Sequence, residues 1–380
     1  MEEWKEYKLG DVLTIKYGKD HKQLADGGIP IYGSGGIMRY GERSLYEGPS
    51  ILIPRKGSLN NIMYSDKPFW TVDTMFWTII NEKIANPLFV YYSICKKDFA
   101  SLNVGSAVPS LTVPVIEDVD ILLPSKFTQD KIVSILKSLD DKIEVNRQIN
   151  DNLEQQAQAL FKSWFVDFEP FRDQPFTESE LGMIPQDWRV ASLSSVADYI
   201  NGLAMQKYRP AGNETGLPVL KIKELGQGCC DDSSELCSPS LIGEKYVIDN
   251  GDIIFSWSGT LMVKIWCGGK CGLNQHLFVV NPYDMPKWFA YQWTKHHLDN
   301  FIQIAKDKAV TMGHIKRGEL DKAKVLIPDK DNFAKISSIM MPIHQQIISH
   351  EIESRRIASL RDTLLPQLMS GELKVCDVVL

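Results

Sequence analysis

The sequence predicts a mixed α/β (α+β) protein, with two globular domains separated by two long antiparallel coiled-coil helices in a pseudo-two-fold internal repeat. Two observations predict this. First, the chain is written twice: Trp4-Lys5, Leu9, Val12 and Gly18 return as Trp188-Arg189, Leu193, Val196 and Gly202, an offset of 184. Further on, Ile121-Leu122-Leu123-Pro124 returns as Val325-Leu326-Ile327-Pro328, an offset of 204. A growing offset means loop insertions in the second copy while the order of elements is kept. Second, each copy ends in a long stretch whose apolar residues alternate steps of three and four, the spacing of a helix packed along one stripe.

The elements follow in order. Short β-branched and aromatic runs at Ser50-Ile51-Leu52-Ile53, at 75–80 and at Asp252-Ile253-Ile254-Phe255 are bounded by Gly, Pro and Asn, which is strand punctuation. Ile29-Pro30-Ile31 matches Leu217-Pro218-Val219, and Gly57-Ser58 matches Gly259-Thr260. Residues 87–100 read as a helix with Asn86 as its N-cap and Pro87 at its first position. Gly33-Ser34-Gly35-Gly36 reads as a turn rather than a phosphate cradle, because its counterpart Lys221-Ile222-Lys223-Glu224 is not glycine-rich.

From 129 to 166 neither Gly nor Pro interrupts, and Ile132, Leu136, Leu139, Ile143, Leu153 and Leu160 mark a seam. The second helix, 333–369, repeats it with Ile336, Met340, Ile343, Ile347, Ile357 and Leu364. Asn146 and Asn150 interrupt the first seam where the second has His350 and Ser354, which reads either as a polar layer of the kind that sets register or as residues at the seam's edge in water. Pro342 stands where the first copy has Ser138 and predicts a kink or a restart near Met341. The domain boundaries implied are 1–125, 126–185, 186–328 and 329–380, two heads on a helical bar.

Length and composition bound the function. At 380 residues, with 44% hydrophobic and 10% aromatic residues, the chain has ample core for two or three domains. No apolar run approaches the roughly 20 residues of a membrane span, and Met1-Glu2-Glu3-Trp4 lacks a signal peptide's basic start, so a cytoplasmic protein is expected, without membrane contact. Seven cysteines without regular spacing fit reduced thiols better than a disulfide framework. Cys229, Cys230, Cys237, Cys267 and Cys271 crowd the second copy but form no Cys-x-x-Cys knuckle and have no first-copy counterpart, which disfavours zinc. The net charge of −6 excludes a uniformly basic nucleic-acid binder. The acidic excess sits mainly at 126–185, which carries 7 Lys+Arg against 11 acids.

Catalytic motifs are missing. There is no G-x-x-x-x-G-K-[ST] loop to seat a nucleotide. Asn86-Pro87-Leu88-Phe89 approaches the Asn-Pro-Pro-Phe tetrapeptide of adenine methyltransferases, but its third position is Leu and helix capping accounts for Asn-Pro. His296-His297 has no Cys or carboxylate cluster at ligand spacing. No catalytic residue, metal ligand or cofactor is therefore assigned.

The helical segment carries a signature. Gln129-Asp130-Lys131-Ile132-Val133, Leu139-Asp140-Asp141-Lys142-Ile143-Glu144, Leu153-Glu154 and Leu160-Phe161-Lys162-Ser163-Trp164-Phe165-Val166-Asp167-Phe168 resemble the central region of type I restriction-modification specificity subunits. Gly182-Met183-Ile184-Pro185 and Leu364-Leu365-Pro366-Gln367-Leu368-Met369-Ser370-Gly371-Glu372-Leu373 share the resemblance. Departures are Pro342 and Ser125-Lys126-Phe127-Thr128, where a Pro-rich, acidic lead is usual. The resemblance implies that each head is a target recognition domain reading one half of a bipartite double-stranded DNA target. It also implies that the bar sets the half-site spacing and docks two methyltransferase (modification) subunits, that motor-nuclease (restriction) subunits join the full complex, and that the chain catalyses nothing itself.

Base reading needs Arg, Lys, Asn, Gln or small polar residues on exposed loops. In the first head these are Lys16, Lys19, His21 and Lys22, then Arg55, Lys56, Ser58, Asn60 and Asn61. In the second they are Gln206, Lys207, Arg209, Lys221 and Lys223, then Ser256, Trp257, Ser258 and Thr260. Lys306, Lys308 and Thr311 match the family's variable segment near 106–110. Trp70, Trp77, Trp257 and Trp266 are read as core rather than as stacking platforms, since base flipping belongs to the modification subunit. Two other classes compete with a DNA reader: a self-sufficient modification or nuclease enzyme, disfavoured by the missing motifs, and a coiled-coil scaffold whose heads bind protein.

Overall fold

In a computed structural model of the chain, residues 4–307 and 314–377 are described. Contacts divide the chain into two units, Met1–Asp141 with Ala358–Leu380, and Lys142–Ile357. Each long helix thus gives one stretch to each unit.

The first unit contains β1 (Lys5–Lys8), α1 (Leu9–Val12), β2 (Leu13–Tyr17), β3 (Asp26–Gly33), β4 (Gly36–Gly41), β5 (Ser50–Pro54), β6 (Met63–Ser65), β7 (Trp70–Thr71) and β8 (Met75–Ile80). It continues with α2 (Pro87–Ile94), α3 (Val113–Glu117), β9 (Asp120–Leu123) and the start of α4 (Lys126–Phe165). One antiparallel sheet has the order β2-β8-β5-β6, and a second sheet has the order β4-β3-β7 with β3 and β7 parallel. Central strand β5 is buried on both faces, and its alternation divides two cores. Ile51 and Ile53 enter the cluster with Phe76 and Phe89, whereas Leu52 enters the one with Phe69 and Trp70. The turn at Gly33-Ser34-Gly35-Gly36 closes the β3–β4 hairpin, with Gly33 opposite Gly36.

Asn86 caps α2 as expected, its Oδ1 accepting from the Leu88 and Phe89 amides, but the helix ends at Ile94 rather than at 100. A separate 3-10 turn at Phe99–Leu102 follows, capped by Asp98. The Ser125-Lys126-Phe127-Thr128 lead is simply the first turn of α4, where Ser125 Oγ accepts from the Thr128 amide.

The second unit repeats the wiring after a short hairpin of β10 (Phe176–Ser179) and β11 (Gly182–Pro185). It holds β12 (Arg189–Ser192), α5 (Leu193–Val196), β13 (Ala197–Asn201), β14 (Leu217–Leu220), α6 (Ile222–Gln227), β15 (Leu236–Cys237), β16 (Val247–Ile248), β17 (Asp252–Ser256), β18 (Met262–Trp266), β19 (Cys271–Leu273) and β20 (Leu277–Pro282). Then come α7 (Lys287–His296), α8 (Leu298–Asp307), α9 (Gly318–Lys322), β21 (Lys324–Ile327) and α10 (Lys330–Ser370). The sheet β13-β20-β17-β18 has the order of its first-copy counterpart. β12 pairs antiparallel with β21 as β1 does with β9, Arg189 facing Ile327 where Lys5 faces Leu123. In β17, Ile253 and Phe255 face one core and Ile254 the other.

The expected break at Pro342 is absent, and α10 is one continuous helix of 41 residues. Proline removes a single ladder hydrogen bond, and the neighbouring Met340 and His344 are buried in the unit, which holds both flanks in line.

A polar clasp ties each head to a long helix, and it too repeats. In the first unit Tyr92 on α2 donates to Asp140 Oδ2, while Arg361 Nη1 bonds Asp140 Oδ1 at 2.6 Å. At the matching place in the second unit, Gln292 on α7 meets His344 on α10, Nε2 to Nε2, at 3.1 Å. Within the second unit α4 and α10 run antiparallel through the polar layer. Asn146 Nδ2 donates to Glu353 Oε2 at 2.7 Å and to Ser354 Oγ at 3.2 Å, and Asn150 Nδ2 donates to the Ile347 carbonyl at 3.1 Å. Asn146 is fully buried, so the layer lies inside the seam and not at its wet edge.

The seam residues differ in depth. Ile132, Leu136 and Leu139 in the first unit and Ile336 and Met340 in the second are buried. Ile143, Leu153, Leu160, Ile343, Ile347, Ile357 and Leu364 are half-buried, as expected where only two helices share an apolar stripe. Phe161 and Phe165 leave the seam for the second head's core, where Phe165 and Phe171 lie 5.6 and 5.0 Å from Trp188.

Candidate nucleic-acid interface

The duplicated Gly57-Ser58 and Gly259-Thr260 segments become one feature built twice. In the first unit the chain leaves β5 with the Arg55 amide donating to the Thr74 carbonyl at 2.8 Å, and the Arg55 carbonyl accepts from Leu111 at 2.9 Å. Lys56 bridges Ser110, and Gly57 donates to the Pro109 carbonyl at 3.2 Å. In the second unit the Trp257 amide donates to His276 at 3.4 Å, its carbonyl accepts from Ile315 at 3.2 Å, and Ser258 bridges His314. In both copies the loop after the central strand is thus backed by a segment from much later in the chain, 109–111 in the first and 314–315 in the second.

Glycines make the loop possible. Gly57 and Gly259 have φ of +90° and +64°, in the region open to residues without a Cβ. Gly18 and Gly202 serve a different need. A Cβ on Gly18 would lie 2.0 Å from the Val72 carbonyl, and one on Gly202 2.2 Å from the Asn274 carbonyl. Only glycine lets these strand ends pass so close to the chain entering β8 and β20.

The structure sorts the expected DNA-facing residues. Lys16, Lys56 and Ser58 are exposed around the first loop, with half-buried Arg55 between them. The Arg55 guanidinium carbon lies 5.8 Å from the Tyr17 ring centre. Lys19 and Lys22 are exposed beside them in sequence, whereas His21 accepts from Arg39 Nε at 3.3 Å and serves the local turn. Asn60 and Asn61 are committed internally: Asn60 bonds Asp98 and the Ala100 amide, and Asn61 bonds the Ser34 carbonyl.

In the second unit Gln206, Lys207 and Thr260 are exposed. Arg209 bonds Glu235 at 2.6 Å and Lys221 pairs with the same carboxylate, holding it below its usual pKa range. Lys223 lies 3.8 Å from Asp231. Ser256 faces inward, not outward as expected, because strand alternation buries it and its hydroxyl donates to the Ser258 carbonyl. Ser258 is also buried, sharing its hydroxyl with His276 Nδ1 at 3.0 Å. Lys306 is exposed, and Lys308 and Thr311 lie outside the described residues.

Sequence reasoning missed the residues around Trp257. Its indole N–H donates to Asn201 Oδ1 at 2.9 Å, and its ring lies 6.3 and 6.2 Å from the rings of His276 and His314. The signal was present: Asn201 and His276 occupy the repeat positions of Tyr17 and Thr74. Trp70 and Trp266 are core, whereas Trp77 and Trp257 are half-buried. His296 and His297 are structural. Burial holds both imidazoles below their usual pKa, and His297 Nε2 bonds the Lys324 carbonyl at 2.8 Å. All seven cysteines are free thiols, and no group of three or more metal-ligating side chains occurs among the described residues. No described helix is long and apolar enough to cross a membrane.

The sequence and the fold both have known relatives. The chain is 26% identical over 339 residues to the type I restriction enzyme MjaIX specificity subunit of Methanocaldococcus jannaschii, covering 86% of this chain and 78% of the relative. It is 22% identical over 462 residues to the HindI specificity subunit of Haemophilus influenzae, covering 98% of this chain and all of the relative. The fold matches the crystal structure of a type I restriction-modification S subunit from M. genitalium, with a TM-score of 0.59 at 14% identity over 97% of this chain and 96% of that one. The family model for the type I restriction modification DNA specificity domain matches twice, at residues 1–155 and 185–359, and the chain therefore belongs to that family.

Proposed function

We propose that this specificity subunit reads a bipartite double-stranded DNA target, one half with each head. Residues 1–125 and 186–328 are the two target recognition domains. The observation that carries the reading is the loop after β5 and after β17, built twice at matching repeat positions and backed each time by the segment at 110 or 314. Lys16, Lys19, Lys22 and Lys56 supply mobile positive charge for phosphates around the first loop, and Gln206, Lys207 and Thr260 present polar groups around the second.

Helices α4 and α10 set the half-site spacing and dock two methyltransferase subunits, with motor-nuclease subunits completing the restriction complex. Exposed Val145 and Ile149 on α4 and Ile339 and Met341 on α10 favour a protein partner there, since apolar side chains on a helix surface gain by being covered. Catalysis is left to those partners. With a net charge of −6, the chain by itself binds DNA weakly and gains affinity when basic subunits close around the duplex.

The test is a head exchange. Replacing residues 1–125 with the matching domain of a relative changes only the first half of the methylated sequence, as mapped base by base in cells. A swap that alters both half-sites, or neither, refutes the modular reading.

A further inference from the structure

Arg55 is the arginine of the first recognition loop, and its setting is unusual. Its backbone is pinned on both sides, by Thr74 and by Leu111, and its guanidinium lies against the Tyr17 ring. Yet its Nε is buried with no acceptor, and among the described residues its guanidinium makes no hydrogen bond or ion pair. Of the other arginines of this head, Arg39 bonds His21, Leu24 and Asp26, and Arg43 has a ring contact like that of Arg55, 5.7 Å from the Trp70 ring centre, but is exposed to water. Arg55's terminal amino groups likewise have no partner among the described residues, so the half-buried guanidinium keeps donors to offer an acceptor from outside.

We infer that Arg55 reads a guanine in the first half-site, its fork bonding the adjacent O6 and N7 acceptors in the major groove. This rests on the proposed half-site reading by the first head. Two arguments favour a base edge over a phosphate. A guanidinium held against an aromatic ring loses little freedom on binding and presents two parallel donors, which suits a bidentate base contact, whereas phosphates are met by the flexible lysines nearby. The repeat adds the second. The matching position in the second head is Trp257, whose one donor is spent on Asn201. A position that differs between otherwise repeated heads is where sequence choice is written.

The test uses the full chain assembled with its methyltransferase subunits. The target is first mapped in cells, and methylation rates are then measured on duplexes in which each pair of the first half-site is replaced in turn. Wild type is expected to disfavour replacement of one G·C pair by about 10- to 100-fold, and Arg55→Ala is expected to lose that discrimination. Discrimination in the second half-site stays unchanged, which also shows that the variant is folded. Arg55→Lys keeps the charge without the fork and is expected to restore affinity but not discrimination.

A first half-site without a G·C pair, full discrimination retained by Arg55→Ala, restored discrimination in Arg55→Lys, or a rate loss equal on every duplex, as for a phosphate contact, each overturns the inference. The head exchange separates this from failure of the reading beneath it. If the swap moves the first half-site while Arg55→Ala leaves its G·C choice intact, the head still reads DNA and only the assignment to Arg55 falls.

Discussion

Acidification should unlock the second head from its helix through one histidine. His344 is buried between Gln292 and Tyr291, its Nε2 accepting the Gln292 amide proton at 3.1 Å and its ring edge-on to Tyr291 at 5.2 Å. Burial, only partly offset by Glu154 and reinforced by Lys295, pushes its pKa down to about 4 from the usual imidazole value near 6.5. Protonation would also set two donors face to face. Because the folded state prefers the neutral ring, stability is full above about pH 6.5 and falls as pH drops toward 4, where the loss levels off. Linkage between those two values gives a loss of about 2 kcal/mol from pH 7 to pH 5. Urea unfolding followed by tryptophan fluorescence suits the measurement, since six of the nine tryptophans lie in the second unit. Carboxylates elsewhere also titrate, so the readout is the difference between wild type and His344→Gln, whose amide oxygen accepts the same hydrogen bond without titrating. Wild type should lose about 2 kcal/mol more than the variant. Equal losses would refute the argument.

Other expectations follow the same logic. Tyr92→Phe removes the matching clasp in the first unit and should cost about 1–2 kcal/mol of that unit's stability, read by hydrogen exchange in α2, with unchanged exchange counting against it. Leu139→Asp places a carboxylate at a buried seam position and should cost about 3–5 kcal/mol. Normal affinity of that variant for methyltransferase subunits would show the seam assignment to be wrong. Gly57→Ala forces a Cβ into a φ of +90° and to 2.9 Å from Ser34 Oγ. It should slow methylation by weakening reading of the first half-site, while base preference in the second half-site, measured on the same duplex panel, stays as in wild type.

Much of this architecture was legible from residue spacing. The repeat offsets located β1, β5, β9 and α4 together with their second-copy partners, because short apolar runs between turn residues and a long three-four seam are local signals. Asn86 announced its own helix, since a cap and a following proline act within one turn. Asn146 read equally as a polar layer or as a wet edge, and its burial with Nδ2 bonded to Glu353 and Ser354 decided for the layer.

Spacing did not reveal where helices end or what side chains do at a distance. Pro342 read as a break because the local penalty is visible in sequence and the packing that overrides it is not. Ser256 and Asn61 looked like loop residues available to DNA, and only pairing across sheets and turns showed one buried and the other bonded to Ser34. The clasps of Tyr92 with Asp140 and of Gln292 with His344 join residues 48 and 52 positions apart, with no shared residue type to betray their equivalence. Sequence by itself therefore determined the repeat, the heads and the helices, which arise from periodic burial along the chain. The tertiary structure alone decided which polar groups are spent inside the protein and which, like Arg55, are left without a partner, because hydrogen-bond satisfaction depends on neighbours that the chain brings together only when folded.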